Sequence, residues 1–344
     1  MAQDRKSQPN WLLIETFGGG KGPSVISVGN RPVAFIPLEK LMQRSSSIAE
    51  VRRAIAGCLN VRGPWVEITD DRHIEAHPLF LGEELHGIWF WSQPRSVPVP
   101  PHSETGAWLI DLTSLTALGS PEWASMADIP KEFWGQERSV AAMFDQVGTT
   151  DRNEDTALAK IETEKAGQEH QGQWLVSRQD KTQWKAHFSL RIREIRRGPD
   201  NAVHRCSVGM SQNLGDVEAT TTEATPSLAV LEHRYLTAMT DPGEFHALVS
   251  MKKVKLIRWI TAAPPVIAWQ GVASESEPAI HPEDLPNVLA AMKVLHQQRG
   301  EGVVRVKTVD GKWLPVPMRA DPVMLDSTTT AAFVRVFLPE QAAR

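Results

Sequence analysis

The chain has 344 residues, with 37 basic and 41 acidic side chains, a formal net charge of −4, 41% hydrophobic and 23% charged residues. This is globular composition without the basic surplus of a nucleic-acid binder, and its longest uncharged run, the sixteen residues Trp259–Ser274, falls short of the roughly 18–20 apolar residues of a membrane span. The polar N-terminus has no signal-peptide core and the two cysteines, Cys58 and Cys206, form no disulfide framework, so a cytoplasmic protein of two or three domains, or one large one, is expected.

Trp11–Phe17 (WLLIETF) reads as a strand, followed by the turn Gly18-Gly-Gly-Lys-Gly22 and a second strand near Val25–Phe35. Ser47-Ile-Ala-Glu50 has capping-box spacing, and Ile48, Val51, Ile55, Cys58 and Leu59 then recur at helical intervals. Three strand-like runs follow from Trp65, His73 and Leu85, joined by short polar turns that suit antiparallel pairing. Ser92–Gly106 holds four prolines and no apolar periodicity, which predicts an extended spacer.

After the spacer, Trp108-Leu-Ile-Asp-Leu-Thr113 echoes Trp11-Leu-Leu-Ile-Glu-Thr16, with Leu118–Met126 as a candidate second strand. Leu158 and Ile161 mark a helical face within Asp151–Lys165. Three strands are expected at Gln173–Arg178, Gln183–Ile195 and Ala202–Gln212, the last two joined by the hairpin signal Gly198-Pro-Asp-Asn201. Further on, Leu228, Leu231, Tyr235 and Met239 suggest a helix, with another at Glu244–Met251. Lys255–Ala262 and Val266–Gly271 read as a hairpin around Pro264-Pro265. Pro282 can open a helix striped by Leu285, Val288, Leu289, Met292 and Leu295. Val303–Thr308 and Lys312–Met318 flank the turn Val309-Asp-Gly311, and Ala332–Leu338 supplies a final strand. Each segment thus repeats two strands, a helix and three strands.

This layout resembles PAS and the related GAF sensor domains. His281-Pro-Glu-Asp284 resembles the His-Pro-Asp-Asp stretch common before a PAS helix, and Val304-Arg-Val-Lys307 with Asp310-Gly-Lys-Trp313 resembles the hairpin after it. On WLLIET, WLIDLT, the Pro-rich spacer and the segment order, the chain over roughly residues 10–340 looks like the mycobacterial and related actinobacterial family of triple-sensor-domain proteins, which has PAS- and GAF-like modules and no effector domain. The resemblance implies an α+β fold of three tandem modules, each a five-stranded antiparallel sheet with helices inserted after its second strand. The expected boundaries are 10–93 for the N-terminal module, 94–106 for the linker, 107–216 for the middle module and 217–340 for the C-terminal module with leading helices.

Several residues carry candidate chemistry. On a strand, His73, Glu75 and His77 share a face, and two imidazoles with a carboxylate suit zinc or iron. The plainer reading is a half-exposed strand with Ile74 and Ala76 turned inward. Gly18–Gly22 lacks the helix and Ser/Thr that a Walker phosphate loop needs, which favours a flexible turn. His281, at a helix entrance, could be read as a haem ligand or general base, although a histidine there more often caps or bonds the backbone; His296, within a helix, is better placed as a haem ligand, yet a lone helical histidine carries little weight. Cys58 and Cys206 are expected to be buried and inert, without the motif of covalent flavin attachment. Lys252, Lys253, Lys255 and Arg258 alternate with apolar residues and suggest a solvated or interdomain strand face.

The expectation is therefore a non-catalytic sensor or signalling protein, binding an unidentified small ligand and acting through an unidentified effector protein, with no bound metal and no nucleic-acid partner. Ser227–Met251 is expected to couple the second and third modules. A protein-interaction scaffold with filled cores is the alternative, and a metal-dependent enzyme centred on His73–His77 a third reading.

Overall fold

The computed structural model describes residues 10–42, 45–141, 165–178, 182–198, 201–217, 240–269, 279–325 and 330–338. They form three antiparallel sheets. The first contains β1 (Leu12–Glu15), β2 (Ser24–Val28), β3 (Arg31–Pro37), β4 (Trp65–Ile68), β5 (Arg72–Leu81) and β6 (Glu84–Pro94), in the order β3-β2-β1-β6-β5-β4. The second is built from β7 (Thr105–Asp111), β8 (Thr116–Gly119), β9 (Arg138–Ser139), β10 (Glu169–Ser177), β11 (Gln183–Arg197) and β12 (Ala202–Asp216), in the order β10-β11-β12-β7-β8-β9. The third holds β13 (Glu244–Ser250), β14 (Lys255–Trp259), β15 (Gly300–Lys307), β16 (Trp313–Met324) and β17 (Thr330–Phe337), in the order β14-β13-β17-β16-β15.

The expected fold class, three PAS/GAF-like modules of five strands with helices after the second strand, is overturned. Two of the sheets have six strands, and in the first the helices Leu38–Leu41 and Ser45–Val61 follow the third strand. The extra strand arises because the expected Val25–Phe35 run folds back at Gly29, whose φ of 56° is readily available to glycine. Helix is scarce: besides those two, the described residues contain only Pro121–Met126 and Leu285–Val294 as α-helices.

Sheets cover sheets where modules would use helices. Ile14, Ile74, Ala76, Ile88 and Phe90 face Val51, Ala54 and Cys58 of the long helix. The alternate residues Leu13, Leu79, Leu81, Trp89 and Trp91 pack against Ala107, Leu109, Cys206, Val208 and Met210 of the second sheet. From the other face of β7, Trp108 and Ile110 join a core with Leu248, Ile257 and Ala331 of the third sheet and Leu325 just past β16. All seven residues of β7 are buried, which is why WLI reads as an unbroken apolar run.

Other local expectations also change. Leu118–Met126 is a strand end followed by a helix, because Ser120 caps it, accepting the Trp123 backbone N–H, and Pro121 fits its first turn. Glu244–Ser250 is a strand, paired on both sides by β14 and β17, so ladder bonds override its helical propensity. For the same reason Lys255–Trp259 pairs with β13, while Ile267 makes an isolated bridge to Thr308 and residues 270–271 lie outside the described residues. The candidate helices over 151–164 and 228–239 lie outside the described residues, as does most of the coupling stretch 227–251, whose described end is β13.

Candidate functional site

β5 places His73, Glu75 and His77 on one face, with Ile74 and Ala76 buried on the other. Oε1 of Glu75 lies 2.7 Å from Nε2 of His77, and Oε2 lies 3.2 Å from Nε2 of His73. The carboxylate therefore sits between the two imidazoles, and the three do not converge on a common point. Among the described residues no group of three His, Cys, Asp or Glu side chains is arranged to hold a metal ion.

What the trio does assemble is a chain with a fourth residue. Nδ1 of His77 is 2.7 Å from Nε2 of His102, and Nδ1 of His102 is 3.0 Å from the Ser103 carbonyl oxygen. His102 comes from the Pro-rich linker and stacks on Trp89 at 5.0 Å with an interplanar angle of 19°. The indole N–H of Trp11 donates to the Pro100 carbonyl at 2.6 Å, and the Trp11 ring lies 5.1 Å from both His77 and His102. The linker is thus fastened to the face of the first sheet that turns toward the second. Burial lowers the pKa of His102, and His77 pushes the same way, while the Ser103 carbonyl and Glu75 oppose them.

Beside this chain opens a cleft of about 880 Å³, continuous with solvent. Leu79, Trp89 and His77 of the first sheet form one wall, His102, Glu104 and Thr105 another, and Glu122, Met126 and Trp134 of the second unit a third. Apolar and aromatic surface with a few convergent polar groups is the usual make-up of a small-molecule site. Linker residues close to His77 were not identified from the sequence, since His102 lies 25 positions further along the chain and only folding brings the two together. The one sequence hint is the pair Val97 and Val99 between prolines, both packed against the core shared by the first two sheets.

The remaining candidates take structural roles. The glycine-rich turn carries Lys21 to Glu169 of β10 at 2.7 Å, so it docks on the second sheet. Next to it, Arg191 of β11 donates to Glu15 of β1 at 2.8 Å and to Ser24 at 3.1 Å, also pairs with Glu169, and lies 4.3 Å from the Phe35 ring. Glu15 is fully buried and Arg191 nearly so; burial raises the Glu15 pKa while Arg191 pulls it down. His281 Nδ1 accepts the Glu283 backbone N–H at 3.3 Å, and its ring packs on the Trp313 ring. His296 is exposed just past its helix. Cys58 and Cys206 are buried free thiols whose pKa values burial pushes up to about 11. Lys253 and Lys255 donate to the carbonyls of Leu112 and Ser114, so the basic run faces the second unit.

Among the described residues no helix is long and apolar enough to cross a membrane. No curated protein matches the chain. The crystal structure of an uncharacterized protein from Mycobacterium tuberculosis is similar to it, with a TM-score of 0.76 and 26% identity over 96% of each chain. An RNA-binding Light-Oxygen-Voltage receptor, at TM-score 0.24 and 13% identity over 68% of this chain and 95% of its own, is too distant to inform the fold. Residues 10–101 match the Rv3651-like N-terminal domain and residues 229–344 the Rv3651-like C-terminal domain, so the chain carries both terminal domains of the Rv3651-like family.

Proposed function

We propose that the chain is a sensor or signalling protein that binds a small ligand in the cleft beside His77 and His102 and passes the change to a protein partner. The observation that carries this reading is the origin of the cleft walls: the first sheet, the linker and the second unit each contribute. An occupant touching all three has different contacts when they shift, and that difference is what a ligand needs in order to bias one arrangement over another. A scaffold that binds only proteins is the second reading, favoured by the fully buried Trp91 and Trp184, which fill space inside the sheet stack.

Native mass spectrometry of protein purified from its own host separates the two. A co-purifying small molecule that disappears in Trp134→Ala supports the cleft reading. Bare chain mass in both proteins removes it and leaves the scaffold.

A further inference from the structure

The third sheet ends at β15, and only half of that edge is covered. Peptide groups along a strand point alternately to its two sides. The Arg305 backbone N–H donates to Asp284 Oδ2 at 2.8 Å, the Arg305 carbonyl accepts the His281 N–H at 2.8 Å, and the Lys307 N–H donates to the Ala279 carbonyl at 3.0 Å. The odd positions of β15 therefore turn their peptide groups away from β16, where Pro317 and Pro315, opposite Val303 and Arg305, have no N–H to offer them. Residues 279–284 cover this row as far as Arg305 and then lead into the helix Leu285–Val294. Beyond that point the backbone N–H and carbonyl groups of Val303 and Glu301 have no partner among the described residues.

The uncovered stretch borders a groove of about 730 Å³, continuous with solvent, between the helix and the sheet. Val288, Ala291 and Met292 form one wall and Val304, Met318 and Ala320 the other. Gly302 shares the helix-facing side of β15 with Val304, and a Cβ added there would meet nothing within 4 Å. The charges at the margin are matched within the chain, Asp284 by Arg305 at 2.7 Å and Glu301 by Arg319 at 3.0 Å. An ionised group entering the groove would lose water without gaining a counter-charge, so the lining suits an uncharged apolar side chain. We propose that this edge receives a protein partner, which contributes a short extended segment that adds as a strand beside Glu301–Val303. Its backbone continues the row of bonds begun by Ala279–His281, and one apolar side chain enters the groove over Gly302. The residues on either side of that anchor lie beside Val303, which is 64% exposed.

This names the surface for the partner and rests on the reading above for there being one; the cleft beside His77 plays no part in it. The test uses the full chain, a displayed library of random linear peptides, and one enriched peptide synthesised for calorimetry and amide hydrogen exchange. Enriched sequences should carry an uncharged apolar anchor. The Glu301 and Val303 amides should exchange freely in the unbound chain and become protected with peptide, while those of Arg305 and Lys307 stay as they were. Gly302→Leu fills the groove from a position with space for it. Val303→Pro removes an outward N–H that the ladder does not use, a change an edge strand accommodates. Each should weaken the peptide by at least about tenfold, the equivalent of one lost hydrogen bond or apolar anchor. Val303→Thr, which keeps the N–H, should bind as the wild type does. If Val303→Pro melts early, Gly302→Leu and the amide exchange decide. A library that enriches nothing, a peptide that binds Gly302→Leu as tightly as wild type, or a bound peptide that leaves the two amides exchanging freely overturns the proposal. So does protection of those amides before peptide is added; if it grows with protein concentration, the occupant is a second copy of this chain. None of these results touches the ligand reading, which bare mass in native mass spectrometry removes by itself.

Discussion

Replacing Arg191 by methionine probes what locks the first sheet to the second. The side chain is 5% exposed and its main partner, Glu15, is 0% exposed, so the substitution leaves a carboxylate in the interior with its cation gone. Glu169 retains Lys21 and partial solvent access, and loses little by comparison. Removing one partner of a buried pair costs about 3–5 kcal/mol, and the lost contact with the Phe35 ring falls within that figure. The assay is urea unfolding of wild type, Arg191→Met, Glu15→Gln and the double variant, at constant m-value. If the cost is the stranded charge, the double variant is more stable than Arg191→Met alone, because the neutral amide has no charge to bury. Lowering the pH should act in the same direction. Burial already raises the Glu15 pKa; without Arg191 it rises further, so the folded state of Arg191→Met takes up a proton before the unfolded one does. The variant's deficit therefore shrinks as the pH falls from 7 toward the unfolded carboxylate value of about 4.3. Equal deficits for Arg191→Met and the double variant, or a deficit unchanged by pH, would refute the stranded-charge account.

Two further outcomes follow from packing and burial. A Cβ on Gly106 would lie 2.4 Å from the Cα and backbone nitrogen of Trp123, which no side-chain rotation relieves, so Gly106→Ala should lower stability by about 1–3 kcal/mol in thermal unfolding; Gly302→Ala, with nothing within 4 Å of its Cβ, should leave the melting temperature nearly unchanged. His86, whose pKa burial lowers to about 4, is held neutral in the fold, so its contribution is full above the unfolded value of about 6.5 and is lost as the pH falls toward 4, by roughly 3 kcal/mol at most; His86→Gln should show a shallower acid loss of urea midpoint than the wild type.

Much of the strand pattern was legible because alternation is a local property. His73, Glu75 and His77 share a face as their spacing requires, and the turns at Gly198 and Gly311 sit between paired strands. What sequence could not supply was the partner of each face. The contact with His77 needs His102, and nothing near His102 marks it as the neighbour of a histidine on β5. Glu15 did leave a trace: an ionisable residue between Ile14 and Phe17 in an apolar strand demands a buried counter-charge, although its identity as Arg191 is a matter of tertiary packing. The segments placed wrongly, Leu118–Met126 and Glu244–Ser250, are short apolar runs without a decisive period. A capping serine decided the first and two flanking strands the second.

The same missing information explains why the module expectation failed. A sheet covered by helices on one face and water on the other can stand alone, and its strands alternate accordingly. Here the second faces of the first and third sheets are spent on the second, and β7 contributes alternate residues to the cores on either side of it. Helices are then not needed as covers. On the proposed sensor reading, the arrangement also limits where a signal can act. Buried, close-packed sheet faces move only as bodies, so the changeable contacts are those at their margins. The Pro100–Ser103 segment is such a margin: it is held to the first sheet by one indole bond, one stacked ring and one contact between imidazoles. It leads directly into β7, the strand that both neighbouring sheets grip. A change at that clamp therefore reaches the centre of the stack through the backbone itself.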